Sequence, residues 1–112
     1  MFNLGIIYEE QGERDKARDI YQEVLKIKPD HYKAKVNLGI ILEKEGHSKQ
    51  ANKQYQDALK MQPNEAKIHH NMGINLKRAG KLSDALACYR NAINLEPDNS
   101  VFLYNTGLLY NI

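Results

Sequence analysis

Four glycines set the frame of this chain: Gly5, Gly39, Gly73 and Gly107 stand 34 residues apart at every step. The same interval joins Gly12, Gly46 and Gly80, the column Ala17, Ala51 and Ala85, the column Tyr21, Tyr55 and Tyr89, and the column Pro29, Pro63 and Pro97. A fixed period of this length means one small unit stacked on copies of itself, because a single unit cannot bury its own apolar face. Gly12, Gly46 and Gly80 split each period into two segments of about a dozen residues with apolar side chains at helical spacing. Ala34, Leu38, Ile41 and Leu42 fall at i, i+4, i+7 and i+8, and Ala51, Tyr55, Ala58 and Leu59 repeat that stripe one segment later. No segment alternates with period two over the length of a strand, so the fold class is all-α, two helices per unit. Short connections force these helices to pack antiparallel. Each proline disfavours helix in the residue before it, which ends the second helices near Lys28, Gln62 and Glu96. A glycine inside a helix costs roughly 1 kcal/mol relative to alanine. The Gly5 to Gly107 column is therefore expected to face the Ala17, Ala51 and Ala85 column across a tight helix crossing.

These columns stand in the order of the tetratricopeptide repeat: a large apolar residue, Leu-Gly, an aromatic, Ala, an aromatic, Ala and Pro. The chain resembles that family over its whole length. Leu4-Gly5, Leu38-Gly39 and Met72-Gly73 match cleanly, while Thr106-Gly107 departs at its first member. The place where the family carries Trp holds Met1, Lys35, His69 and Leu103, so packing there is expected to be weaker. The resemblance implies a right-handed superhelical solenoid of antiparallel helix pairs, with first helices lining a concave groove and second helices forming the convex outside. In that frame residues 1–31 are a first repeat without its opening residues, 32–65 the second, 66–99 the third, and 100–112 the first helix of a fourth. Met1 falls inside a helix, and the last helix carries Leu103, Leu108, Leu109, Tyr110 and Ile112. The expectation is an excerpt of a longer array, with self-association through the uncovered helix as the alternative.

On the second repeat's first helix, Lys33, Asn37, Ile40 and Lys44 share the face away from Leu38. The equivalent set is Lys67, Asn71, Ile74 and Arg78 in the third repeat, Asn3, Ile6 and Glu10 in the first, and Val101, Asn105, Leu108 and Ile112 in the last. One asparagine per repeat, Asn3, Asn37, Asn71 and Asn105, would thus line the groove. An amide offers one acceptor and two donors, enough to hold a peptide by its main chain, with Ile6, Ile40, Ile74 and Leu108 making apolar contacts. His70 is expected to face the groove as well. The first helices close with Glu9-Glu10, then Glu43-Lys44, then Lys77-Arg78, so the wall is expected to run from acidic to basic and to favour a directional ligand.

Composition removes other classes. With 16 Lys or Arg against 14 Asp or Glu, the formal net charge is +2, too small an excess for a phosphate-binding surface, so no nucleic acid is expected. Leu38 to Leu42 is the longest apolar run, and Gly39 breaks it; insertion in a membrane is not expected. The start lacks a basic flank and an apolar stretch, and Cys88 is the single cysteine, which favours a reducing, intracellular setting, taken as cytoplasmic. His69 and His70, at i and i+1, point different ways and have no i+4 partner, so neither metal nor cofactor is expected. The resemblance implies a non-catalytic scaffold that holds an extended peptide or partner helix in its groove. The alternative is the substrate-recruiting arm of a larger enzyme such as an O-linked N-acetylglucosamine transferase, whose groove carries a similar asparagine ladder. A chaperone adaptor gripping C-terminal carboxylates fits less well: Asn37, Asn71 and Lys67 could serve, but Phe2 and Ile6 stand where the first clamp Lys and Asn belong, and Asn71 replaces the Arg.

Overall fold

The computed structural model describes residues 1–110, with side chains for residues 1–107. Its elements are the helices α1 (Phe2–Glu10), α2 (Arg14–Ile27), α3 (Tyr32–Lys44), α4 (Ser48–Met61), α5 (Ala66–Arg78), α6 (Leu82–Leu95) and α7 (Ser100–Tyr110), and no strand occurs among the described residues. Two punctuation marks produce this layout. The first helices α1, α3 and α5 stop at Gly12, Gly46 and Gly80, whose φ values of +78°, +85° and +81° reverse the chain. There the amide of Gly46 donates to Glu43 O at 3.0 Å and the amide of His47 to Leu42 O at 2.8 Å, which satisfies carbonyls left open at the helix end. Gly12 with Glu13 and Gly80 with Lys81 make the same pair of bonds. The second helices end at Ile27, Met61 and Leu95, each one residue before the expected position and two before the proline. A turn over each proline is closed by His31 N to Lys28 O, Glu65 N to Gln62 O and Asn99 N to Glu96 O. Asn99 Oδ1 then accepts from the amides of Val101 and Phe102 at 3.0 and 3.2 Å and opens α7.

Each helix packs on its neighbours in sequence, and α3 also touches α5. The result is a rod 40 × 25 × 23 Å rather than a closed bundle. The predicted stripes are its core: Ala34, Leu38, Ile41 and Leu42 are buried, as are Ala51, Tyr55 and Ala58, with Leu59 half-buried. The glycine column meets the tyrosine column first. A Cβ at Gly5, Gly39 or Gly73 would lie 2.6, 2.8 or 2.6 Å from the ring of Tyr21, Tyr55 or Tyr89, and at Gly73 the alanine column is close as well, through Ala85 O at 3.3 Å. The glycine thus makes room for a tyrosine ring at the helix crossing. Gly107 has nothing within 4 Å of its would-be Cβ.

At the place where the family carries Trp, Met1 is 58% and Leu103 47% exposed, Lys35 reaches Asp57 at 3.9 Å, and His69 Nε2 meets Pro63 O at 2.9 Å. Polar contacts replace apolar packing there. Both ends of the rod expose apolar residues: Leu4 and Ile7 on α1, Val101 and Tyr104 on α7. The expectations on Leu108, Leu109, Tyr110 and Ile112 lie outside the described side chains. Among the described residues no helix is long and apolar enough to cross a membrane.

Candidate functional site

The faces of α1, α3, α5 and α7 that the second helices leave uncovered form a chain of connected depressions. The largest, 480 Å³, has an apolar floor of Phe2, Ile6, Tyr32, Val36, Ile40 and Ile68 and a polar rim of Lys33, Asn37, Glu65 and Lys67. Ile40 passes into a second depression of 180 Å³ with Lys44, Asn71, Ile74 and Arg78, and Ile74 and Arg78 pass into a third of 320 Å³ with Lys77, Tyr89 and Asn105. On the other side, Lys67 and Glu65 continue into a fourth, where His70 and Asn71 meet Phe102. The structure thus brings together the residues the sequence singled out on this face, except Asn3 and Glu10, which are exposed and line none of these depressions; Leu108 and Ile112 lie outside the described side chains.

The asparagines are not equivalent. Asn37 Nδ2 donates to the Tyr21 hydroxyl at 3.3 Å, and Asn105 Nδ2 donates to His70 Nε2 at 2.8 Å, so both brace the wall from inside. Asn71 Nδ2 is buried without a hydrogen-bond partner. A buried amide donor left open costs about 1–3 kcal/mol, which marks Asn71 as the member of the row with most to gain from a ligand carbonyl. His70 also departs from expectation. It is 6% exposed, with its ring centre 5.5 Å from that of Tyr89 and 4.6 Å from that of Phe102, and it forms floor rather than an open groove side chain. Because an amide nitrogen only donates, its bond from Asn105 fixes His70 as the Nδ1–H tautomer, and burial lowers the ring's affinity for a second proton.

The acidic-to-basic run is altered by long side chains. Tyr21 donates its hydroxyl to Glu9, and Tyr55 donates to Glu43 Oε1 at 3.1 Å. Arg78 reaches back one repeat to pair with Glu43, whose side chain is 9% exposed while that of Arg78 is 63% exposed. Burial pushes the hydroxyls of Tyr21 and Tyr55 well above the ordinary phenol range, and the adjacent carboxylates reinforce the shift. They are donors at any pH the protein meets. Arg78 is therefore no free cation, whereas Lys33, Lys44, Lys67 and Lys77 have no ion-pair partner among the described residues.

Sequence reading passed over Asn75. It is 1% exposed on α5, donates Nδ2 to Ser48 O at 2.9 Å and accepts from Ser48 Oγ at 3.0 Å, which pins the start of α4 to α5. The signal was present, since the positions 34 and 68 residues earlier are Ile41 and Ile7. Cys88 is buried, and burial followed by the charge of Asp84 pushes its thiol up, away from the reactive thiolate. Among the described residues no three His, Cys, Asp or Glu side chains are placed to hold a metal.

Comparison with known proteins agrees with this architecture. The pattern described as tetratricopeptide repeat matches residues 2–64, and a second, described as TPR repeat, matches residues 75–111. No curated protein sequence matches the chain. Among solved structures the chain is similar to MamA from Desulfovibrio magneticus RS-1, with 21% identity, a TM-score of 0.89, and 96% of this chain on 61% of that one. It is similar to YrrB, described as a TPR protein with an unusual peptide-binding site, at 21% identity and a TM-score of 0.89, covering 95% of this chain and 55% of that one. It is also similar to the first TPR of Spaghetti (RPAP3), solved with the HSP90 peptide SRMEEVD, at 20% identity and a TM-score of 0.92, covering 97% of this chain and 86% of that one. At these identities the likeness establishes the fold. The chain spans about three fifths of the MamA protein it matches.

Proposed function

Because the chain belongs to the tetratricopeptide repeat family, we propose that it is a non-catalytic binding module that holds an extended segment of another protein across α1, α3, α5 and α7. The observation that carries this reading is the continuity of the depressions: an apolar floor of 480 Å³ leads through Ile40 and Ile74 to a polar far end. An apolar anchor side chain fits the floor around Phe2, Ile6 and Val36, and the unpartnered amide of Asn71, turned out of its buried position, takes a main-chain carbonyl of the ligand. The side chains that could do chemistry support binding instead: Glu43 is engaged by Tyr55 and Arg78, His70 is buried, and Cys88 is held protonated. The lone cysteine supports a reducing, intracellular setting for this binding. A clamp for C-terminal carboxylates is the weaker reading, since Phe2 and Ile6 make apolar floor where that clamp needs a lysine and an asparagine.

A displayed peptide library selected on the chain tests the reading. Selected peptides lose binding with Ile40→Glu, which puts a charge on the floor, and weaken by about fivefold with Asn71→Ala, the worth of about 1 kcal/mol for one amide bond. Selected peptides that bind both variants undiminished lie elsewhere and overturn the assignment.

A further inference from the structure

The repeats carry a recurring pair that the third repeat leaves half built. In the first, Tyr21 donates its hydroxyl to Glu9; in the second, Tyr55 donates to Glu43, again with the carboxylate twelve residues before the ring. Both carboxylates sit in the last turn of a first helix. The third repeat keeps the ring and its glycine seat, Tyr89 on Gly73, but the position that held Glu9 and Glu43 is Lys77. Among the described residues the Tyr89 hydroxyl has no partner. The 320 Å³ depression beside it is lined by Lys77, the largely exposed Arg78, Ile74 and Asn105, whose amide nitrogen is taken by His70. Where two repeats give a tyrosine hydroxyl a carboxylate of their own, the third leaves it in a depression lined by Lys77 and Arg78, with the Glu43 carboxylate of the preceding repeat near enough to act on it as well. One arm of the guanidinium is held by Glu43, which fixes Arg78 at the rim and leaves its other N–H groups free.

We infer that this depression receives a carboxylate side chain of the bound segment, which takes the place that Glu9 and Glu43 fill in the other repeats. The inference rests on the groove being the peptide site. The hydroxyl, the ammonium and the guanidinium supply donors for both carboxylate oxygens, and hydrogen bonds to an ionised group are the strong kind. The depression opens through Ile74 and Arg78 into the rest of the groove, so the chain of the ligand passes by and only a side chain turns in. The occupant is therefore a glutamate within an extended acidic stretch, lying on a wall that also holds the unpaired Lys44, rather than the end of a chain.

Titration calorimetry with three probes tests this: an oligoglutamate blocked at both ends, the matching blocked oligoglutamine, and an oligoglutamine with a free C-terminus. The blocked oligoglutamate binds and the two oligoglutamines do not. Tyr89→Phe, which deletes one unpaired oxygen, weakens oligoglutamate by about tenfold, as loss of one hydrogen bond to a charge should, without lowering the melting temperature. Tyr55→Phe lowers the melting temperature, as loss of its internal bond to Glu43 should, and weakens oligoglutamate less than Tyr89→Phe does. Lys77→Glu rebuilds the internal pair and abolishes binding, and Lys77→Gln weakens it should Tyr89→Phe fail to fold. Absence of oligoglutamate binding, or unchanged affinity in Tyr89→Phe, overturns the inference. Tighter binding of the free C-terminus than of the blocked oligoglutamate also overturns it, in favour of a terminal carboxylate. Equal binding of both blocked peptides, abolished by Ile40→Glu, removes the carboxylate site and leaves the groove reading standing.

Discussion

The second and third helix pairs are built on one template and differ in the polar groups they carry. In α3–α4 and in α5–α6, a tyrosine ring seats on a glycine, and a positive-φ glycine closes the first helix. Yet Val36 becomes His70, Ile41 becomes Asn75 and Glu43 becomes Lys77. The first two changes bury polar groups that are satisfied within the chain, His70 by Asn105 and Asn75 by Ser48. The third leaves a hydroxyl open. What a repeat must keep is the geometry of its crossing; what it can vary is which polar groups it satisfies internally and which it leaves open.

The sharpest way to break the template is Gly73→Ala. Its Cβ meets the Tyr89 ring at 2.6 Å and Ala85 O at 3.3 Å, and overpacking typically costs about 1–3 kcal/mol, with the upper end expected here because one of the clashing atoms is backbone. Gly107→Ala, with open space around it, should be neutral or gain up to about 1 kcal/mol from helix propensity; urea midpoints read both. Next comes Asn75→Ala, which strands Ser48 and opens a cavity. It should cost about 2 kcal/mol, while Ser48→Ala, which removes a hydroxyl but spares the bond to Ser48 O, costs less.

Smaller again is Tyr55→Phe, expected to cost about 1 kcal/mol against no loss for Tyr89→Phe, since only Tyr55 has a carboxylate to lose. A thermal melt of the two side by side gives the sign.

The smallest effect is pH dependent. Burial lowers the affinity of folded His70 for its second proton below the ordinary 6.5. The unfolded chain therefore binds that proton first, so this residue's contribution is intact above pH 6.5 and is lost as the pH falls through the depressed folded value. His70→Val, which copies Val36, should flatten that decline in urea midpoints measured on either side of the ordinary value.

Most of the fold was legible because glycine, proline and small apolar residues repeat at a fixed step, and each has one local consequence. Helix ends at Ile27, Met61 and Leu95 follow from the prolines alone. The groove face was legible as well, since i, i+4 and i+7 spacing puts Lys33, Asn37 and Ile40 together whatever lies opposite. The sequence could not show what long or planar side chains do across helices. The rings of the tyrosine column reach the glycines ahead of the alanines, Arg78 spans a whole repeat to Glu43, and the amides of Asn37 and Asn105 turn to Tyr21 and His70. Such contacts depend on stacking distance, which no single helix encodes. Asn75 was legible in principle as a polar residue in an isoleucine column.

Because each helix leans chiefly on its neighbours in the chain, no substantial contact ties α1 to α6 among the described residues. Opening can therefore begin at either tip and travel inward one interface at a time, with the middle the last to let go. Amide hydrogen exchange should reveal a gradient, slowest along α3, α4 and α5, in place of one uniform rate. A segment lying lengthwise over four helices would bridge interfaces that the backbone leaves independent, so occupancy should slow the fraying of both tips at once.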